Sequence, residues 1–113
     1  MKNLRSFFVL DFDVKGWLKT QLTLQAKGLS GHLDEIWPDI KESAWIGKEK
    51  EGWERLPYWL DGFIPLAYLL KDEAMIQKAQ YYIQSIIQFQ QEDGWICLVK
   101  KNNEKNMIYG LFF

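Results

Sequence analysis

Leu56-Pro57-Tyr58-Trp59-Leu60-Asp61-Gly62-Phe63-Ile64-Pro65-Leu66-Ala67-Tyr68-Leu69-Leu70 is apolar on nearly every side of a helical projection, and an amphipathic stretch follows within two residues. A helix apolar all round predicts one buried all round. Pro57 fits the first turn, where a missing N–H goes unnoticed, so this helix is expected to start at Leu56 or Pro57 with Glu54 and Arg55 in the preceding loop. Pro65 cannot donate to the Asp61 carbonyl and Gly62 lies beside that gap, which predicts a kink. Asp72 is a good N-cap for the next helix, with Glu73 in the first turn where the dipole favours negative charge. There Ile76, Ala79, Ile83, Ile86 and Ile87 fall on one face, opposite Gln77, Gln80, Gln84, Gln88 and Gln91. The pair therefore reads as an inner helix followed by an outer one with a side in water.

Working outward, Ser6 to Val14 alternates loosely and favours β geometry, predicting an extended arm or one strand. Trp17, Leu18, Gln21, Leu22, Leu24 and Gln25 keep a helical period that Gly28 and Gly31 are expected to stop. Leu33 to Ile40 has room for a turn or two of helix, because Pro38 disfavours helical geometry at Trp37. Lys48-Glu49-Lys50-Glu51 reads as a solvated loop. After Trp95 the pattern decays into the polar run Lys100 to Lys105, and the apolar Met107-Ile108-Tyr109-Gly110-Leu111-Phe112-Phe113 follows. The expected class is all-α, one partial domain over 1–113: an arm at 1–14, a helical region at 15–95 and a divergent tail at 96–113.

The head of the apolar helix carries the chemistry. Gly52-Trp53-Glu54-Arg55-Leu56-Pro57-Tyr58-Trp59-Leu60-Asp61-Gly62 puts Trp53, Tyr58 and Trp59 beside Glu54, Asp61 and Arg55. Flat aromatic faces cover the C–H side of a sugar ring, while carboxylate and guanidinium groups take its hydroxyls through charge-assisted hydrogen bonds. The competing reading is a rigid aromatic strip of core, with Glu54 and Arg55 locking the loop and Asp61 tying the helix. As a glycosidase dyad Glu54 and Asp61 stand badly, since about 10 Å between them is easier to build here than about 5 Å. His32, Asp34 and Glu35 invite a metal, but one histidine without a second at i+4 lacks the zinc spacing, and loop hydrogen bonding at Gly31-His32 is the better expectation.

Five separated words occur in order: Gly16-Trp17-Leu18-Lys19-Thr20-Gln21-Leu22, Gly28 to Asp39, Ser43-Ala44-Trp45-Ile46-Gly47, the run just described, and Gln90-Gln91-Glu92-Asp93-Gly94-Trp95. Together they resemble the N-terminal part of glycoside hydrolase family 127, the β-L-arabinofuranosidase-type enzymes, over about Lys15 to Trp95. The resemblance implies part of a six-hairpin (α/α)6 toroid and a carbohydrate substrate met by Trp53, Glu54, Arg55, Tyr58, Trp59 and Asp61. Complete members use a cysteine nucleophile beside a zinc held by cysteines and a glutamate, in a later part of the toroid. No residue here matches those positions. Cys97 follows Asp93-Gly94-Trp95, where the family more often continues with Gly-Pro, and cannot take the nucleophile's role. The expectation is an N-terminal fragment or truncated member, without catalytic residues or cofactor of its own; the alternative is a non-catalytic helical interaction or scaffold piece, or a degenerate remnant.

Composition narrows the remaining classes. The 113 residues carry a net charge of −1 with 48% hydrophobic and 26% charged residues, ordinary globular values. No basic stripe exists for nucleic acid. One cysteine excludes an intrachain disulfide. Phe7-Phe8-Val9-Leu10 is interrupted by Asp11, too early for a secretory segment needing about 7 to 15 apolar residues, and no run approaches the ~20 of a membrane span. A cytoplasmic chain that self-associates through apolar surface is expected.

Overall fold

The computed structural model describes residues 4–96, and these are mostly helical with no strand among them. Five α-helices follow one another: α1 (Gly16–Lys27), α2 (Leu29–Ile36), α3 (Pro38–Lys41), α4 (Arg55–Leu69) and α5 (Glu73–Gln88). The arm at 4–14 is coil around one 3₁₀ turn at Val9–Asp11 that packs on α4, so the alternative of a strand is not realised. The tail beyond Ile96, including Cys97 and residues 107–113, lies outside the described residues.

Local chemistry sets each boundary. α1 ends at Gly28, whose N–H donates to the Leu24 carbonyl at 2.9 Å. Gly31 is not a stop; it sits in the first turn of α2. Pro38 does act as expected: Trp37 is extended at φ −103° and ψ 111°, and Pro38 opens α3 at its first position, where proline costs nothing. Ser43 caps the short turn Ala44–Ile46 by accepting from the Trp45 N–H, and Gly47 closes it in the left-handed region at φ +78°. The loop from Lys48 to Glu51 is exposed, as its charge predicts.

α4 begins at Arg55, one or two residues earlier than Pro57 suggests, with Glu54 in the cap position. It runs without interruption through Pro65. Pro65 lies on the exposed side of the helix. The expectation of burial all round fails: Leu56, Trp59, Leu60, Phe63, Leu66 and Ala67 are buried, whereas Glu54, Tyr58, Asp61, Gly62 and Pro65 are exposed. Positions 54, 58, 61 and 65 follow i, i+4, i+7, i+11 spacing, which places them on one stripe.

The α4–α5 connection is a Schellman turn. Asp72 N–H reaches the Ala67 carbonyl and Lys71 N–H the Tyr68 carbonyl, both at 3.2 Å, with Lys71 rather than glycine left-handed at φ +52°. Those bonds satisfy orphan carbonyls at the end of α4. Asp72 then caps α5, accepting from the Met75 N–H at 3.0 Å.

The core joins Ile40 of α3, the turn Ala44–Ile46, the buried face of α4, and Ala79 and Tyr82 of α5. Met75, Ile86, Trp95 and Ile96 pack against it. The inward face of α5 therefore runs Met75, Ala79, Tyr82, Ile86, rotated from the stripe its isoleucines suggest, and Ile83 and Ile87 stand exposed. Trp59 explains the rotation. Its ring stacks on Phe63 at 4.6 Å and meets Tyr82 edge-on at 5.2 Å between centroids, and such aromatic pairs add to the energy of burial.

Candidate functional site

The exposed stripe of α4 and the loop before it hold five of the residues singled out in the sequence. Trp53, Glu54, Arg55, Tyr58 and Asp61 all reach solvent, Tyr58 at 71%. Trp59 does not join them. It is 8% exposed, its indole N–H donates to the Ser30 carbonyl at 2.9 Å, and its role is to anchor α4 to α2. For that residue the core reading is correct, because a single residue step along the helix, a rotation of about 100°, turns Trp59 inward beside an outward Tyr58.

Arg55 is paired, but not with Glu54. Its Nη1 donates to Asp39 Oδ2 at 2.6 Å, and its guanidinium lies 5.5 Å from the Trp37 ring centroid. Glu54 makes no cap bond to α4, and neither it nor Asp61 has a side-chain hydrogen bond among the described residues. Seven residues apart on one helix, the two carboxylates stand about 10 Å apart along the axis, too far for a retaining pair.

Trp53 adopts φ +49° directly after Gly52 at φ +58°. A bulky residue in this region costs about 1–3 kcal/mol and persists only where its surroundings enforce it. The enforcing contacts are visible. The indole N–H of buried Trp45 donates to the Trp53 carbonyl at 2.6 Å. Gly52 packs so closely on α3 that a Cβ there would come within 2.6 Å of the Asp39 carbonyl. Trp53 is thus turned outward, 48% exposed, at the head of the stripe.

A second polar cluster joins α2 to α5. Lys78 of α5 donates to the Gly31 carbonyl at 3.3 Å, Asp34 Oδ1 at 3.1 Å and Glu35 Oε1 at 3.2 Å, while the Tyr82 hydroxyl reaches Asp34 Oδ2 at 3.3 Å. His32 Nδ1 sits 3.1 Å from Glu35 Oε1. Hydrogen bonds from His32 and Lys78 hold the Glu35 carboxyl below its ordinary range. Burial, reinforced by the Asp34 charge, pushes the Tyr82 hydroxyl well above its usual value, so it remains a donor. Lys78 and Tyr82 carry no signal in sequence beyond their place on α5. A groove of about 520 Å³ opens beside the cluster, walled by Lys19, Thr23 and Lys27 of α1 and by Met75 and Lys78 of α5.

Zinc does not fit here. Asp34 and Glu35 already share an ammonium group, and among the described residues no group of three histidine, cysteine, aspartate or glutamate side chains converges. Nor is any described helix long and apolar enough to cross a membrane. Compared with family models, curated proteins and solved structures, the chain matches none.

Proposed function

We propose that this chain is the N-terminal segment of a family 127-like glycoside hydrolase, built from the inner and outer helix pairs of an (α/α)6 toroid. It contributes a sugar-binding face rather than the nucleophile or the zinc. Trp53, Tyr58, Glu54, Arg55 and Asp61 form that face, and β-L-arabinofuranosyl or related glycosides are its ligands. The observation that carries the reading is Trp53. Its side chain stands 48% exposed at the head of the α4 stripe, at a positive-φ position that the Trp45 hydrogen bond and the Gly52 contact enforce. A ring stacked on this indole would be flanked by hydroxyl partners along α4.

The test is Trp53→Gly in the full chain. Glycine relieves the positive φ, so the melting temperature should hold or rise, while binding of methyl β-L-arabinofuranoside, followed by saturation-transfer NMR, should be lost. Stability falling while sugar binding persists would return Trp53 to a structural role.

A second reading, a helical interaction piece, is favoured by exposed apolar side chains on α1, α2 and α5, notably Trp17, Leu24, Leu29, Ile36, Ile83 and Ile87. Contiguous apolar patches beyond a few hundred Å² are uncommon on stable monomers. The chain should therefore show a mass that rises with concentration in light scattering. A single monomeric mass with cooperative unfolding would count against a binding role for those faces.

A further inference from the structure

Asp39 and Trp37, neither of which lies in the aromatic run at the head of α4, set the state of Arg55. A guanidinium offers five N–H donors. Asp39 takes one edge through Nη1 at 2.6 Å, and the Trp37 ring covers one face at 5.5 Å. Both partners come from a single rigid junction, where extended Trp37 leads through Pro38 into α3. Gly52 presses the loop before α4 onto the Asp39 backbone, so the clamp is built from both sides. Arg55 remains 46% exposed at its side chain, with donors left over for a ligand.

The charge around those donors is what distinguishes ligands. An unpaired guanidinium takes a carboxylate bidentately. Here the positive charge is already countered by Asp39, and Glu54 and Asp61 stand exposed on α4. Asp39 is the one carboxylate that pairs with this cation among the described residues. We propose that Asp39 is a specificity-determining residue of the α4 face: by neutralising Arg55 while Trp37 fixes its plane, it admits neutral glycosides and rejects uronates. The inference rests on the sugar-binding reading above and adds the class of sugar selected.

The experiment compares methyl β-L-arabinofuranoside with methyl β-D-glucuronide on the full chain by isothermal titration calorimetry or saturation-transfer NMR. The unaltered chain should prefer the neutral sugar. Asp39→Asn keeps the shape but frees the Arg55 charge, and should shift the preference about fourfold toward the glucuronide, the effect of one charge some 5 Å away in a water-like medium. That shift should shrink as salt is raised. Arg55→Gln supplies the opposite sign, keeping the carboxylate and deleting the cation, so the glucuronide should be disfavoured further; it also serves should Asp39→Asn not fold. Binding of both sugars at a ratio unchanged in either folded variant overturns the inference and leaves the sugar-binding reading standing. Binding of neither sugar by the unaltered chain overturns both.

Discussion

Gly31→Ala is expected to destabilise the fold by about 3 kcal/mol, the upper part of the usual range for overpacking. A Cβ at Gly31 would lie 1.8 Å from the Ala26 carbonyl oxygen and 2.7 Å from its carbon, and both are backbone atoms of the last turn of α1. Backbone cannot swing aside as a flexible side chain does. Relief requires α2 to move away from α1, yet the first turn of α2 is tied down elsewhere. The Ser30 carbonyl accepts from Trp59, and the Gly31 carbonyl accepts from Lys78. A shift of that turn therefore strains contacts to α4 and α5 as well. Gly62→Ala is the control: it is exposed on α4, an added Cβ there meets nothing within 4 Å, and alanine should gain about 0.5–1 kcal/mol in a helix. Urea unfolding of the two variants measures both. A Gly31→Ala chain as stable as its parent would mean that α1 and α2 do not approach as described.

That glycine also marks what the sequence could and could not reveal. Local signals were legible: Pro57 in a first turn, Asp72 as a cap, Pro38 breaking the helix at Trp37. Each depends on a few neighbouring residues. Gly31 looks the same in sequence whether it stops a helix or lets two helices touch, because the deciding atom, the Ala26 carbonyl, is placed by the turn at Gly28. Arg55 shows the same limit. Glu54 is its neighbour in sequence, but Asp39, sixteen residues away, is its partner in space. The face of α5 is a third case. Counting isoleucines favours Ile83 and Ile87, whereas Trp59 on α4 selects Tyr82 by ring packing that periodicity does not encode. Of the sugar-binding candidates, exposure separates Tyr58 from Trp59 only once the helix has a known inner side.

Lys78→Met should cost about 2–3 kcal/mol, somewhat less than the loss usual when a fully buried ion pair is broken, because Lys78 keeps partial contact with water. Its side chain is 26% exposed and that of Asp34 only 10%. Removing the ammonium group strands the Asp34 carboxylate with the Tyr82 hydroxyl as its remaining side-chain partner, and the Gly31 carbonyl loses a donor. The penalty is mainly the stranded charge rather than the lost attraction, which yields a sharper expectation for the double variant. Lys78→Met with Asp34→Asn removes the charge together with its counterion and leaves an amide that can still accept from Tyr82. It should therefore recover a large part of the stability lost by Lys78→Met alone, a positive coupling in a double-mutant cycle. Glu35 contributes little to this balance, since it is exposed and held by His32 as well. Chemical denaturation of the single and double variants reads the coupling directly. Additive losses, with the double variant the least stable of all, would show that Asp34 finds its compensation elsewhere and that the α2–α5 junction does not depend on this pair.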